Sequence, residues 1–332
     1  MSFYTTIRWA TVSAFIILLF VVIDSCEIND GLTDTYPFPP DNPPSEAKVA
    51  LGRALFFDKR LSKNGTVSCA DCHLPEFAFT DRKKVSDGIN GLHPERNAPS
   101  ILNSAFLKTV MFDAHLTTLE LQVLVPIQEV TEMGHNMKEL IPILRNIPAY
   151  QKAAKEIFNR DFDAWVLTRS ISAFERSLIS MNSPYDQYIK GNKKAMTLDQ
   201  IEGMKLFNSL YCISCHPAPY FTHFMAENNG LYSTFEKDKG RFRIHLDSAD
   251  IGKFKTPSLR NISLTFPYMH DGSLASLDEV LTHYMEGGKH PKGQNEQIVP
   301  IKLTPLEKKK IISFLSALTD TSYMKSFRSN GN

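Results

Sequence analysis

Cys69-Ala70-Asp71-Cys72-His73 contains a motif that recurs at Cys212-Ile213-Ser214-Cys215-His216. Cys-x-x-Cys-His is the attachment signature of c-type haem. In a helical turn the two cysteines lie on one face and can form thioethers with the haem vinyl groups, while the next residue offers its imidazole to the iron. The predicted attachment and ligand residues are Cys69, Cys72 and His73 for one haem and Cys212, Cys215 and His216 for the other.

A Cys-x-x-Cys pair also occurs in two other kinds of site in proteins, a redox-active dithiol and half of a zinc site. Neither requires a histidine directly after the second cysteine, and both copies have one here. The duplication therefore favours two covalently attached haem c groups.

Composition sets the broad class of the protein. A chain of 332 residues with 42% apolar content is long enough for one large or two medium domains. The net charge of +1 implies no polyanionic partner, and the basic run at 308–310 is most simply a solvated helix face, so no nucleic-acid partner is predicted. Four of the five cysteines belong to the two motifs, which leaves no disulfide framework.

The N-terminus predicts export. Arg8 precedes an apolar run from Trp9 to Ile23, which is shorter than the roughly 20 residues that span a bilayer and is typical of a signal peptide. The run ends close to Ser25-Cys26, which resembles a bacterial lipoprotein processing site, although Asp24 departs from the usual small or apolar residue. We expect a signal peptide over 1–26 and a lipid anchor at Cys26, on the periplasmic side of a bacterial envelope. A cleaved soluble form and an uncleaved anchor are the alternatives.

The remaining chain predicts an extended linker over 27–44, rich in Pro, Asp and Thr, followed by helices. Ser45 is placed to cap the first helix, in which Leu51, Ala54 and Leu55 share one face. No run alternates as a strand would. Predicted helices cover 45–57, 116–125, 137–146, 149–159 and 163–181, and capping boxes at Thr197, Ser276 and Thr304 begin three more. The last helix places Ile311, Phe314, Leu315 and Leu318 on one core-facing stripe.

The two halves repeat one another. Pro99, Ser100, Asn103, Asp113, Leu119 and Glu120 recur, the last as Asp278, with a constant offset of 158 residues. A Gly-x-x-Leu-Phe stretch also precedes each haem motif, at 52–56 and at 203–207. The repeat predicts an all-α fold of two cytochrome c-like haem domains packed against each other, over 45–190 and 191–325.

Three further stretches carry a family resemblance: Arg96-Asn97-Ala98-Pro99-Ser100, Lys255-Thr256-Pro257-Ser258-Leu259-Arg260-Asn261 and Pro267-Tyr268-Met269-His270-Asp271-Gly272. With the two haem motifs, the chain resembles the bacterial di-haem cytochrome c peroxidases, which include the tyrosine-ligated branch that matures methylamine dehydrogenase. The resemblance implies that the N-terminal haem reacts with peroxide and that the C-terminal haem passes electrons to it.

The resemblance also implies site residues around the first haem. Glu132 falls where the family keeps its distal acid, and Gln122 falls where a pocket glutamine stands. A carboxylate suits peroxide cleavage because it can remove a proton from one oxygen and return it to the departing one. The alternative is that Glu132 is a surface residue of a charged loop, since Glu129 is nearby.

The sequence departs from the family pattern at several positions. Ile89 replaces a removable histidine ligand, so the first haem is expected to be open, with His93 as an alternative ligand or simply a hydrogen-bonded loop residue. Phe112 replaces the tryptophan between the haems, and His115 replaces the arginine just after it. Phenylalanine is harder to oxidise than tryptophan, which favours tunnelling over radical hopping at this position.

For the sixth ligand of the second haem, His283, Tyr284 and Met285 compete. Successive helix residues point about 100° apart, and the apolar stripe continues to Tyr284 and Met285 rather than to His283. The resemblance places Tyr284 where the tyrosine-ligated branch has its ligand. Methionine ligation would raise the haem potential, whereas tyrosinate should lower it.

The resemblance further implies a calcium ion between the domains, held by the side chain of Asn97 and the backbone carbonyls of Thr265 and Pro267. These are hard oxygen donors, but without a carboxylate the site depends on water and is expected to be moderate in affinity. The alternative is that Asn97 is a turn residue.

The leading hypothesis is therefore a peroxidase that reduces hydrogen peroxide to water, with electrons from a small donor protein such as a cytochrome c or a cupredoxin. A di-haem oxidase that acts on a protein or organic partner is one alternative. A di-haem electron carrier without catalytic activity is the other.

Overall fold

The computed structural model describes residues 38–328, all of which belong to one compact unit. The predicted signal peptide, Cys26 and residues 27–37 of the predicted linker lie outside the described residues. Within 38–328, no helix is both long enough and apolar enough to cross a membrane.

Helices dominate the described residues, which confirms the all-α prediction. The α-helices are α1 Glu46–Phe56, α2 Cys69–Cys72, α3 Leu119–Gln122, α4 Leu124–Gln128, α5 Met137–Arg145, α6 Pro148–Phe158, α7 Ala164–Arg176, α8 Pro184–Ile189, α9 Leu198–Ser209, α10 Cys212–Cys215, α11 Phe242–His245, α12 Leu277–Glu286, α13 Pro305–Ser316 and α14 Lys325–Arg328. Short 3-10 turns cover Lys59–Leu61, Pro75–Phe77, Ile89–Gly91, Ser104–Phe106, Ser248–Asp250, Ile262–Leu264 and Ser322–Met324. Two-residue strands, β1 Ala226–Glu227 and β2 Phe254–Lys255, pair antiparallel.

Most predicted helix starts are confirmed, because local capping determines them. Ser45 accepts a hydrogen bond from the Lys48 N–H at the start of α1, and Thr197 and Thr304 form complete capping boxes. Ser276 caps α12, but the Glu279 carboxylate accepts from the Ala275 N–H, so the predicted capping box is incomplete.

Three helix predictions were wrong in detail. The single helix over 116–125 is instead α3 and α4, and Pro126 lies in the first turn of α4, where its missing N–H is not needed. The predicted helix to residue 181 ends at Arg176, because Ser180 exchanges hydrogen bonds of 2.8 and 2.9 Å with the Asn103 side chain. Ala54 is exposed on α1, whereas Leu51 and Leu55 are buried as predicted.

Each half is built on one pair of closely packed helices, α1 with α7 and α9 with α13. A Cβ atom on Gly52 would lie 1.8 Å from the Ser170 carbonyl oxygen, and one on Gly203 would lie 1.9 Å from that of Lys310. Only glycine permits backbones this close. The Gly-x-x-Leu-Phe echo therefore marks the contact point of each pair.

The buried apolar side chains form two clusters. One extends from Leu51 to Leu178 and includes Tyr323, and the other extends from Met196 to Leu318. The second contains the predicted stripe of α13, which is confirmed: Ile311, Phe314, Leu315 and Leu318 are all at most 5% exposed. The boundaries of the two predicted domains stay predictions.

The two halves exchange backbone hydrogen bonds. The Asn97 N–H donates to the His270 carbonyl at 2.8 Å, and the Lys255 N–H donates to the Phe112 carbonyl at 2.5 Å. The 158-residue offset relates Asn97 to Lys255, the two donors, and Phe112 to His270, the two acceptors. The repeat therefore forms a reciprocal junction between the segments 97–112 and 255–270.

Candidate functional site

The two haem motifs have the same local geometry. Their cysteines begin and end the short helices α2 and α10, and the histidine follows directly. The His73 N–H donates to the Cys69 carbonyl at 2.9 Å, and the His216 N–H donates to the Cys212 carbonyl at 3.0 Å. Each motif is thus the helical turn that the attachment chemistry requires.

The histidine rings are oriented for iron ligation. Nδ1 of His73 lies 2.9 Å from the Phe79 carbonyl oxygen, and Nδ1 of His216 lies 2.9 Å from that of Phe221. A carbonyl oxygen can only accept, so Nδ1 carries the proton and Nε2 keeps its lone pair for a metal. Burial lowers the pKa of His73 and lowers that of His216 to about 4, which keeps both rings in the neutral, ligating form.

The cysteine environments suit thioethers better than thiolates. Burial raises the pKa of Cys72 and that of Cys212 to about 11, and it also raises the pKa of Cys69 and Cys215. Redox and zinc chemistry both require the thiolate, whereas a thioether carries no charge. No group of three or more His, Cys, Asp or Glu side chains within residues 38–328 could hold a metal ion such as zinc.

Lys255 provides an independent test of the fit to haem. Its N–H is fixed by Phe112 at the junction of the halves, and its ammonium group has no hydrogen bond or ion pair with the described residues. Burial lowers the pKa of Lys255 to about 8, so the cation lies in a poorly solvated place. An anionic group such as a haem propionate would satisfy it. The residues present therefore fit two haem groups.

Glu132 lies near the first motif rather than on an open surface. Burial is the main cause that raises the pKa of the Cys69 and Cys72 thiols, and the charge of Glu132 adds to both effects. Burial and the neighbouring Glu129 raise the pKa of Glu132 itself to about 7. Its backbone is held by hydrogen bonds of 2.9 Å from the Ile89 N–H and 3.0 Å to the Glu129 carbonyl. The alternative of a freely exposed glutamate does not match this environment.

The other residues predicted around the first haem are less constrained. Gln122 ends α3, is half-buried, and makes no side-chain hydrogen bond with the described residues. Ile89 is 4% exposed, and a Cβ atom on Gly134 would lie 2.6 Å from its Cδ1, so this side chain is packed against Gly134, two residues after Glu132. His93 is a loop residue whose Nδ1 lies 3.0 Å from the Ser86 carbonyl oxygen, as the hydrogen-bonded alternative predicts. The catalytic roles stay predictions.

The α12 residues that compete for the second haem face different surroundings. His283 is buried, so the expectation that it lies off the buried stripe was wrong, and its Nε2 lies 3.0 Å from the Asn229 carbonyl oxygen. Burial raises the pKa of Tyr284 to about 12. A hydrogen bond with the Asn229 side chain opposes this shift, and the charges of Cys215 and Cys212 add to it. Tyr284 therefore lies near the second motif.

Met285 is half-buried, and its carbonyl accepts a hydrogen bond from the Ile301 N–H at 3.3 Å. None of the contacts described for Met285 involves the second motif, in contrast to Tyr284. Asn229 contacts both His283 and Tyr284 and was not predicted from the sequence, because it lies outside both haem motifs.

The predicted calcium ligands lie on segments that pack against one another. Asn97 is buried and donates from Nδ2 to the Lys83 carbonyl at 2.7 Å, while no hydrogen bond to its Oδ1 forms within residues 38–328. The Arg82 side chain donates to the Leu264 carbonyl at 3.0 Å, which joins this loop to the segment that contains Thr265 and Pro267. Whether the three oxygens hold calcium stays a prediction.

Phe112 and His115 flank a charged junction between the halves. The Asp113 carboxylate accepts from Nδ1 of His115 and, at 3.0 Å, from Arg96, which also binds Asp238 of the second half at 2.7 Å. This network could not be predicted from the sequence, because Arg96 and Asp238 are 142 residues apart and belong to no common motif.

Comparison with known proteins agrees with this geometry. The family model described as di-haem cytochrome c peroxidase matches residues 46–194. The methylamine utilization protein MauG of Methylorubrum extorquens is 33% identical over 288 residues, which cover 86% of this chain and 82% of that protein. The cytochrome c551 peroxidase of Nitrosomonas europaea is 31% identical over 280 residues, which cover 82% and 83%.

Among solved structures, a MauG-like protein associated with microbial copper homeostasis superposes with a TM-score of 0.81 at 38% identity, covering 86% of this chain and 93% of that one. Sequence identity over most of the chain and agreement of fold lead to the same assignment. The chain belongs to the di-haem cytochrome c peroxidase family, an all-α family whose members carry two haem c groups.

Proposed function

We propose that the chain is an exported peroxidase that reduces hydrogen peroxide to water, with electrons from a small donor protein such as a cytochrome c or a cupredoxin. The observation that carries this proposal is the half-buried Glu132 carboxyl near Cys69 and Cys72, with a pKa raised to about 7 by burial. The family includes relatives named as peroxidases, such as that of Nitrosomonas europaea, which supports the same activity.

Glu132 has the proton affinity that the reaction requires. Peroxide reduction takes up electrons and protons in equal number, and the O–O bond breaks more readily when one group removes a proton from the first oxygen and returns it to the second. A carboxyl with a pKa of about 7 can act as base and then as acid near neutral pH, whereas an ordinary glutamate would stay ionised. Gln122 would orient the peroxide through its amide.

The remaining predicted residues would hold the haem groups and connect them. When bound, the haem groups supply the one-electron redox chemistry. His73 and His216 would ligate the irons through Nε2, because Nδ1 is engaged with a backbone carbonyl in each case. Phe112 lies at the junction of the halves and would provide apolar contact for electron tunnelling between them.

Export, a lipid anchor at Cys26 and a periplasmic position are part of the proposal. The short apolar run at 9–23 and the Ser25-Cys26 pair support them. Calcium bound by Asn97, Thr265 and Pro267 is also proposed. It is supported by the Asn97 Oδ1 atom, which accepts no hydrogen bond from the described residues.

Substitution of Glu132 by Gln tests the peroxidase proposal. We expect peroxide turnover by the reduced protein to fall by about 10²- to 10⁴-fold, because the amide cannot shuttle a proton. Glu129→Gln is the matched control, since Glu129 is exposed and nearby, and it should keep most of the activity. Both haems must remain, as counted by their absorption spectra. Equal turnover in the Glu132→Gln and wild-type proteins would contradict the proposal. Low-spin, six-coordinate spectra at both haems with no turnover at all would also contradict it, and would favour an electron carrier.

A di-haem oxidase that acts on a protein or organic partner is the second candidate. The position of Tyr284 near Cys212 and Cys215 favours it, because the resemblance associates a tyrosine ligand with the branch that contains the methylamine dehydrogenase maturation enzyme. In this case the second haem would take part in oxidising the partner.

The ligand assignment is tested with two variants of α12. We expect Tyr284→Phe to change the EPR spectrum of the oxidised second haem and Met285→Leu to leave it unchanged. The first haem in the same sample is the control. The reverse pattern would identify Met285 as the ligand and remove the main support for the oxidase.

A further inference from the structure

A buried glutamate distinguishes the first half from its repeat. Helices α7 and α13 occupy matching positions, since Gly52 contacts Ser170 and the Phe174 Cβ as Gly203 contacts Lys310 and the Phe314 Cβ. The next residue is Glu175 in α7 and Leu315 in α13. The two side chains are almost equally buried, at 6% and 5% exposed. An ionisable side chain thus takes the place of a core leucine in only one half.

The Glu175 carboxyl lacks the partners that normally accompany a buried acid. Its Oε2 atom has no hydrogen-bond partner in the structure. The adjacent cation, Arg176, donates to Glu120 at 2.6 and 2.8 Å and makes no hydrogen bond to the Glu175 carboxyl. The Ser104 hydroxyl donates to the backbone carbonyl of Glu175 and not to its side chain. An unpaired buried carboxyl costs stability, so its presence calls for another explanation.

The charged groups around Glu175 are few. Burial raises the pKa of Glu175 to about 8, Arg176 opposes this, and Glu120 of α3 adds to it. Helix α1, which packs against α7, carries Lys48, Arg53 and, in its first turn, Glu46. Lys48 donates to the Pro43 carbonyl, and Arg53 lies over the Phe327 ring. The turn at 104–106 brings no charged side chain.

Glu175 also lies close to the attachment point of the first haem. After burial, the charge of Glu175 is the strongest influence that raises the pKa of the Cys69 thiol. In the haem-bound protein Cys69 is the thioether to that haem. The carboxyl is therefore within electrostatic range of one haem, and Leu315 offers no equivalent at the other.

We propose that Glu175 is the proton-binding site coupled to reduction of the first haem. With haem attached at Cys69, the Glu175 carboxyl would bind its proton more tightly when an external donor reduces that haem. It would take up a fraction of a proton from solvent on reduction and release it on reoxidation. Reduction removes one positive charge from the haem, which disfavours the ionised carboxyl, and in a poorly solvated interior this coupling is strong. The inference rests on haem attachment at Cys69 and not on peroxide as the substrate.

Spectroelectrochemical titration of the full-length di-haem protein tests this coupling. In the wild type we expect the midpoint potential of the first haem to fall between pH 6 and pH 9. In Glu175→Gln we expect the midpoint potential of the first haem to depend less on pH. The potential of the variant should exceed that of the wild type by an amount that grows with pH. At pH 9 the first haem of the variant should be about tenfold easier to reduce, which is about 59 mV for one electron. The potential of the second haem is the internal control.

Glu132 needs its own control, because its charge also reaches Cys69. The pH dependence assigned to Glu175 must persist in Glu132→Gln. Glu175→Leu, which copies the second half, should match Glu175→Gln and guards against a folding defect in one variant. Infrared difference spectra on reduction should show a carboxyl band in the wild type that both Glu175 variants lack. An unchanged pH slope in both variants, or an unchanged carboxyl band, would overturn the proposal.

Discussion

The two halves of the chain hold their haem motifs in the same way and surround them with different side chains. In each half the haem histidine donates from Nδ1 to a backbone carbonyl at 2.9 Å. Ser100 and Ser258 each donate to a carbonyl near the motif at 2.6 Å, and Asn103 and Asn261 both have a φ of 60°. The duplicated positions are those that shape the backbone around an attached haem.

The differences lie in ionisable side chains. The first half has Glu132 and Glu175 near its motif, with pKa values raised by burial to about 7 and about 8. The second half has Tyr284 near its motif and Leu315 in the place of Glu175. Carboxyl groups with pKa values near neutral pH are thus concentrated near the first motif. Under the proposed function, this difference would separate a proton-consuming site from an electron-transfer site on one repeated scaffold.

The largest expected effect concerns two buried ion pairs, one within the first half and one that joins Asp186, near the end of the first half, to Arg260 of the second. Arg176 binds Glu120 at 2.6 and 2.8 Å, and Arg260 binds Asp186 at 2.9 and 2.8 Å. We expect Glu120→Gln and Asp186→Asn each to lower the free energy of unfolding by about 3–5 kcal/mol, because each leaves a buried guanidinium without its counter-charge. Urea denaturation of the haem-bound protein measures this. A loss below about 1 kcal/mol at only one of the two pairs would show that the two pairs do not contribute alike.

The same pair sets a pH dependence. Burial alone would raise the pKa of Glu120, but hydrogen bonds from Arg176 and Asn42 overcome it and lower the pKa to about 2, from an ordinary 4.5. A lowered folded-state pKa stabilises the protein above the unfolded pKa, and this contribution is lost as pH falls from about 4.5 to about 2. Stability of the wild type should therefore fall across that range more steeply than stability of Glu120→Gln. Equal slopes in the two proteins would contradict the assignment.

Smaller and symmetric effects are expected at the two glycines where the helix pairs touch. A Cβ atom would lie 1.8 Å from a carbonyl oxygen at Gly52 and 1.9 Å at Gly203, so α1 or α9 must move away from its partner. Gly52→Ala and Gly203→Ala should each cost about 1–3 kcal/mol, as overpacked cores do. Thermal or urea unfolding measures the loss, and Ala54→Ser, on the exposed face of α1, is the control. If Gly203→Ala left the free energy of unfolding unchanged, only the first half would depend on the close contact.

How much of this could be predicted from the sequence depends on how local each feature is. The haem motifs, the caps at Ser45 and Thr197, and the stripe of α13 follow from residues a few positions apart, and the structure has them as predicted. The end of the helix after Arg176 could not be predicted, because a distant residue, Asn103, binds the backbone of Ser180.

The site shows the same limit. Resemblance located Glu132 and Tyr284 in advance, and the structure has both near the predicted motifs. Glu175 and Lys255 were missed as functional candidates, since a glutamate in an amphipathic helix and a lysine in a loop segment are ordinary on a solvent-exposed surface. Only burial without a partner distinguishes them, and burial depends on segments far apart in sequence.

The smallest expected effect on the free energy of unfolding is at the N-terminal caps of α1 and α9, the first helix of each pair. Ser45 accepts from the Lys48 N–H, and Thr197 accepts from the Gln200 N–H, but only Thr197 belongs to a complete capping box. We expect Ser45→Ala and Thr197→Ala each to cost about 1 kcal/mol in unfolding free energy. Because the Gln200 side chain still accepts from the backbone N–H of residue 197 in Thr197→Ala, its loss should be no larger than that at Ser45. Urea denaturation decides between these outcomes. A clearly larger loss at Thr197 would show that the second half depends more on its helix starts than the first.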